Sequence, residues 1–177
     1  MSCRSVPLGC PCGYYRDPNN ECTCTVPRIQ RYHSKISGPL MDRIVIRIEV
    51  PAVKYWDLAS RDAGEPSAEI KKRVDRTRGV QLDRFEGMKV YCNAKMTNRH
   101  IKRFCPIDES SQKLLETAID KFGLSARAYT RILKVARTIA DLEGRPDIQP
   151  GHLSEAIQYR SLDRNLIPWK QGPLSDP

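Results

Sequence analysis

The sequence predicts a mainly α-helical protein in which a short Cys-rich segment, one helix and one strand precede a helical bundle. Three observations carry this. Two Cys-X-Cys pairs, Cys10 with Cys12 and Cys22 with Cys24, sit in a stretch dense in Pro, Gly, Asn and Asp. The alternating residues Ile44, Ile46, Ile48 and Val50, closed by Pro51, have the period of a strand. From Ser67 onward apolar residues recur at spacings of three and four, with Ser, Asp and Gly where helices begin and end.

Composition narrows the function classes. With 30 Lys and Arg against 21 Asp and Glu, the chain carries a formal charge of +9 over 177 residues, which favours an anionic partner such as nucleic acid. No apolar run reaches the ~20 residues that cross a bilayer, and the first residues lack a signal peptide's apolar stretch. The expectation is a cytoplasmic protein with no membrane partner. Its 7 cysteines are many, and odd in number; in a reducing compartment they point to metal before disulfide.

Residues 1–9 read as a disordered leader. The two Cys-X-Cys pairs then face each other across a polar loop that can bring four thiolates, Cys10, Cys12, Cys22 and Cys24, to one tetrahedral point. Four sulfurs leave no open position, so the functional reading is a closed structural Zn2+ site; the alternative is four reduced cysteines in a mobile loop. Cys3, Cys92 and Cys105 have no partner by spacing and read as buried or incidental. Residues 25–35 are amphipathic, with Ile29, Tyr32 and Ile36 at helical spacing and Pro27 suited to a first turn. Residues 37–50 begin with a turn at Gly38-Pro39, pass the charged pair Asp42-Arg43, and become the strand.

After a connector at residues 52–66, Ser67 is placed to cap a helix with Ile70, Val74, Leu82 and Phe85 on its apolar side. Gly79 weakens that helix by about 1 kcal/mol against Ala and is a candidate bend. Lys71, Lys72, Arg73, Arg76, Arg78 and Arg84 occupy its other side. They form either a nucleic-acid track or an ordinary solvated face. A short basic helix follows over residues 98–103, where His100 reads as a surface residue; none of His33, His100 and His152 has metal-ligand spacing. Asp108 caps a helix with Leu114, Leu115, Ala118, Ile119 and Phe122 inward, and Gly123 closes it. Ser125 caps the next, with Ala128, Ile132, Val135, Ala136, Ile139 and Leu142 inward, and a last helix from near Pro150 buries Leu153, Ala156 and Ile157. From Arg160 the tail reads as frayed.

No complete active site is visible. None of the 10 glycines precedes a lysine, so the chain has no P-loop, and no acidic pair follows an apolar strand to hold Mg2+. By itself this polypeptide is not expected to hydrolyse nucleotide.

Three blocks carry a resemblance: Cys10-Pro11-Cys12-Gly13-Tyr14-Tyr15 with Cys22-Thr23-Cys24; Ser37-Gly38-Pro39-Leu40-Met41-Asp42-Arg43-Ile44; and Leu124-Ser125-Ala126-Arg127-Ala128-Tyr129 with Thr138-Ile139-Ala140-Asp141-Leu142-Glu143-Gly144. Together they resemble the later part of the Mg chelatase-like AAA+ ATPases, the competence protein ComM (YifB) family. The likeness runs over roughly residues 10–165. It implies a C-terminal remnant of an AAA+ α/β core with a Cys-rich insertion at residues 10–55, a helical lid of Mg chelatase C-terminal type at 56–165, and a flexible tail at 166–177.

The same resemblance implies roles. Arg43 falls where the family places its arginine finger, which reaches the ATP of a neighbouring subunit in a homo-oligomeric ring, a hexamer. A guanidinium suits that work because it is always charged and contacts phosphate oxygens as a fork; from the residues alone, Arg43 is a partner of Asp42 or solvent-exposed. Arg127 falls at sensor 2, touching ATP phosphate; by spacing it is a first-turn residue. ATP and Mg2+ belong to the full-length family, and DNA is the implied partner, through branch migration during transformation. Two departures stand out. Leu8-Gly9 replaces the family's Asn-Pro step, and Val45 and Arg47 follow Asp42-Arg43 where Asp-Ile-Asp is usual. With the P-loop half missing, the chain reads as a C-terminal fragment of a larger ATPase. The alternative is a stand-alone zinc-stabilised nucleic-acid-binding module without ATPase activity. Metal insertion into a porphyrin finds no tetrapyrrole pocket in these residues.

Overall fold

In the first helix, Pro27 sits in a turn where its missing N–H costs no helical hydrogen bond. Helix α1 spans Val26–Ser34 and opens with the amides of Arg28 and Ile29 donating to the Thr25 carbonyl. A computed structural model describes the protein at residues 10–15, 20–35, 44–48, 53 and 64–165. It forms two units, Met1–Ala52 with Ser161–Pro177, and Val53–Arg160.

Among the described residues the chain is helical and no strand is formed. Residues 44–48, the described part of the expected strand, have no ladder. A strand's hydrogen bonds come from a neighbouring strand, and none pairs with this segment among the described residues. Nor do its side chains alternate as expected: Ile46 and Ile48 are exposed and Arg47 is buried. Residues 37–43, Arg43 included, lie outside the described residues.

The second unit holds α2 (Ser67–Arg84), a 3-10 turn (Asn93–Lys95), α3 (Asn98–Phe104), α4 (Glu109–Phe122), α5 (Ala126–Leu142) and, as far as Arg160, α6 (Pro150–Asn165), a helix that continues past the frayed end expected there. Helix α5 is its centre, packed by α2, the 3-10 turn and α3. Ala128, Ile132, Leu133, Val135, Ala136, Ile139 and Ala140 are all buried on it. Each Leu, Ile or Val so placed is worth roughly 1.5–3 kcal/mol of apolar burial, and the alanines admit close neighbours. Leu142, the last residue of the helix, is exposed, contrary to expectation. Leu153, Ala156 and Ile157 of α6 are buried as their spacing predicts.

The caps follow the sequence signals closely. The Asp108 carboxylate accepts from the Ser111 amide at 2.9 Å, and hydrogen bonds from Ser111 and Ser110 hold its carboxyl below the usual range. Gly123 closes α4 in the left-handed conformation (φ 48°, ψ 49°), and the Ser125 hydroxyl accepts from the Ala128 amide at 3.2 Å. Ser125→Ala should cost about 1 kcal/mol, a melting decrease of about 4–8 °C for a unit of this size. A scan in which this variant melts with wild type would remove the cap from the account of α5.

Helix α2 departs from expectation. Pro66, not Ser67, is its N-cap, without a side-chain bond, and the helix runs unbroken through Gly79. Thr77 and Gln81 are the residues it buries, with Phe85 buried at its C-cap, while Ile70, Val74 and Leu82 remain 42%, 46% and 53% exposed. Ile70 and Val74 share the stripe of Thr77 and Gln81, but only its C-terminal half is covered. His100 is likewise not a plain surface residue. Its Nδ1 accepts from the Thr97 amide at 3.1 Å, closing a capping box at the start of α3, and its ring meets those of Phe85 and Phe104.

Candidate functional site

Gly13 builds the Cys cluster. At φ 87° it takes a conformation that other residues resist, and its amide donates back to the Cys10 carbonyl at 3.0 Å. This tight turn sets the Cys10 and Cys12 sulfurs 3.0 Å apart. Cys22 Sγ arrives 3.5 Å from Cys10 and 3.6 Å from Cys12, and the Sγ atoms of Cys10, Cys12, Cys22 and Cys24 all lie within 4.8 Å of one another. A tetrahedral ion with metal–sulfur bonds of ~2.3 Å separates its sulfurs by ~3.8 Å, so small shifts would seat one. No other group of three or more metal-ligating side chains occurs among the described residues.

The thiols are electrically unequal. Burial opposes ionisation of Cys10, but hydrogen bonds from Cys12 and Cys22 outweigh it and bring its thiol down to about 6. At Cys22 the backbone hydrogen bond from Cys24 favours the thiolate; desolvation and the side-chain hydrogen bonds with Cys10 and Cys12 overcome it and push the thiol up to about 12. Cys24 is raised in the same way, by desolvation first. Cys10 therefore ionises readily while Cys22 and Cys24 hold protons that a cation would displace. Cys105, by contrast, is a core thiol, pushed up to about 11 by burial.

The basic side of α2 is largely paired. Lys71 meets Asp75 at 2.5 Å, Lys72 meets Glu69 at 2.7 Å and Arg73 meets Glu65 at 2.8 Å, all exposed, and such pairs are weak and screened. Arg76 and Arg78 are exposed and have no carboxylate partner among the described residues. Arg84 does not belong to an outward track. Its guanidinium turns in and grips Asp141 with both terminal nitrogens, one of them at 2.7 Å from Oδ2, and its side chain is only 15% exposed. A buried carboxylate claims the cation that spacing assigns to the surface.

Asp141 is the centre of a network that sequence reasoning missed. Besides Arg84 it accepts from Arg137 Nε at 3.0 Å and from Asn93 Nδ2 at 2.7 Å. Arg137 continues to the carbonyls of Pro146 and Arg145 at 2.6 and 2.7 Å, and the Asn93 amide donates to Gln81 Oε1 at 3.1 Å. The available signal was Arg137 and Asp141 at i, i+4, embedded among Leu133, Ala136 and Ala140 on an otherwise apolar face. His152 is a second miss: it is buried, accepts from the Gln149 amide and reaches Glu143 at 2.9 Å.

Arg127 lies in the first turn of α5, exposed, where unpaired helix amides favour an anion. No acid pairs with it among the described residues. Arg43 cannot be placed beside it, since it is outside those residues.

Residues 64–160, more than half the chain, match the family described as magnesium chelatase, subunit ChlI C-terminal. The chain belongs to this ChlI C-terminal family. Residues 7–58 match magnesium chelatase, subunit ChlI. This ChlI-type chain is 41% identical over 158 residues to Competence protein ComM of Haemophilus influenzae, an alignment covering 88% of the chain and 30% of that protein. It is 38% identical over 158 residues to the uncharacterized protein YifB of Salmonella typhimurium and 37% identical to YifB of Escherichia coli, covering 89% of the chain and 30% of each. The chain thus spans about a third of the length of these relatives. The Mg chelatase-like, ComM (YifB) resemblance carried by its Cys and Arg motifs is that of a member of the AAA+ ATPases. Among the described residues no helix is long and apolar enough to cross a membrane.

Proposed function

We propose that this chain supplies the lid and an arginine finger to the ATP site of a ring-forming AAA+ motor, a homo-hexamer acting on DNA in the cytoplasm by branch migration during transformation. The observation that carries this reading is the match to both ChlI families, with 41% identity to ComM. In this reading ATP and Mg2+ occupy the junction between subunits. Arg43 reaches across it and stabilises charge on the γ-phosphate oxygens, where an immobile guanidinium fork does most. Arg127, on the N-terminal turn of α5, draws phosphate toward the lid with help from the helix-end amides. Cys10, Cys12, Cys22 and Cys24 hold Zn2+ as a closed structural site, which orders a loop too polar to order itself.

The test mixes this chain with a separately expressed P-loop half of the relative and follows ATP hydrolysis. Arg43→Ala should lower kcat by about 10³-fold or more, and Arg127→Ala should chiefly raise KM for ATP. Reconstitution at the wild-type rate by either variant would strip that residue of its role.

A second reading, a zinc-stabilised nucleic-acid-binding module without ATPase activity, is favoured by the exposed Arg76 and Arg78 beside the paired Lys71, Lys72 and Arg73. It expects DNA binding with no hydrolysis on reconstitution.

A further inference from the structure

Helix α3 concentrates positive charge around a recess that no acid lines among the described residues. Its walls are Met88, Arg99, His100 and Arg103, enclosing about 220 Å³. Gly87, at φ 73°, turns the chain after α2, and the Met88 amide donates to the Phe85 carbonyl at 2.9 Å, which brings Met88 to the rim. Arg99 and Arg103 are exposed and stand at i, i+4 on one face, a spacing at which like charges repel and disfavour the helix. On α2 the basic residues Lys71, Lys72 and Arg73 each have a carboxylate; among the described residues neither Arg99 nor Arg103 has one.

The side chains are also held in place. Arg103 lies over the Phe104 ring, 5.0 Å from its centre, a contact that steadies a guanidinium without neutralising it. His100 packs against Phe85 and Phe104, each ring centre 6.4 Å away. Because its Nδ1 accepts the Thr97 amide hydrogen, the ring proton of the neutral form resides on Nε2. That N–H has no protein acceptor among the described residues. Two guanidinium forks and one imidazole N–H, with no competing carboxylate among the described residues, form a donor set for a tetrahedral oxyanion.

We propose that Arg99, Arg103 and His100 form a phosphate-binding recess that takes a backbone phosphate of DNA. Two guanidiniums and an imidazole line the recess beside Met88, a donor set that suits one phosphate of a polyanion. The +9 charge of the chain favours the same partner. The assignment rests on the reading of DNA as the partner but needs neither Arg43 nor Arg127, so its failure and that of the ATPase reading are told apart.

The test is a set of binding isotherms for the full chain with a labelled duplex oligonucleotide at several salt concentrations. Arg99→Gln/Arg103→Gln should weaken binding about three- to tenfold and flatten the plot of log affinity against log salt by about 1–2. Both arginines are exposed, so the melting temperature should hold. Lys71→Gln/Lys72→Gln serves as a second variant, and a smaller loss there than in the Arg pair supports the recess. An Arg pair variant that binds DNA with wild-type affinity and slope overturns the proposal, whatever the ATPase assay shows. A parallel titration with inorganic phosphate distinguishes the source: saturable binding of free phosphate that requires both arginines, without any DNA binding, would overturn the DNA assignment.

Discussion

Asp141→Ala should unfold the Val53–Arg160 unit well below the wild-type melting temperature. The Asp141 carboxylate is fully buried between Arg84, whose side chain is 15% exposed, and Arg137, at 2%. Removing it leaves two guanidiniums inside the protein without a counter-charge, a change that costs about 3–5 kcal/mol. A domain has only about 5–15 kcal/mol in total, so the melting transition should fall by well over 10 °C. Asn93 would lose an acceptor too, since its Nδ2 is shared between Asp141 and Thr138 Oγ1. A companion variant with Arg84→Met, Arg137→Met and Asp141→Leu together should recover much of the loss, because a buried pair replaced by apolar groups of like volume is often neutral. Thermal denaturation followed by circular dichroism reads both. Melting of Asp141→Ala within a few degrees of wild type would show that the network does not hold the unit together.

Cys22→Ser/Cys24→Ser should abolish binding of one equivalent of zinc per chain, measured by elemental analysis of protein purified under reducing conditions. Structural Zn2+ sites in small peptides contribute apparent binding energies of about 10–16 kcal/mol, more than a loop of this composition could gain by packing. Hydrogen exchange over residues 10–24 should therefore become fast in the variant, while the second unit keeps its melting temperature. Wild-type protein that carries no metal and exchanges at the same rate as the variant would end the zinc assignment.

Much of the second unit was legible from local chemistry. Asp108, Gly123 and Ser125 mark helix ends because a cap acts on amides within three or four residues of itself, and those are specified by adjacent sequence. The inward stripe of α5 was legible because its apolar residues repeat at the helical period. The four cysteines were legible because a short loop leaves their thiols few places to go. Helix α2 was not. Ile70 and Val74 share a stripe with Thr77 and Gln81, yet the polar pair is buried and the apolar pair is exposed, since periodicity shows which residues share a face but not how far the opposing helix covers it. The strand expected over residues 44–50 is not formed in its described part, 44–48, for a related reason. Alternation describes a segment that fits a sheet, and no neighbour is there to pair with it among the described residues.

The sequence by itself determined which family motifs the chain carries and, because each depends on residues near one another in the chain, where most helices start and stop and which cysteines can share an ion. Tertiary structure alone decided the fate of the charges. Arg84 was one basic residue among six on α2 until Asp141, 57 positions away, drew it inward. His100 was one more exposed ring until Phe85, brought by another helix end, packed against it beside the recess. Whether a cation faces water, a buried carboxylate or an anion from outside depends on what the fold brings opposite it, and the residues beside it in the chain do not specify that.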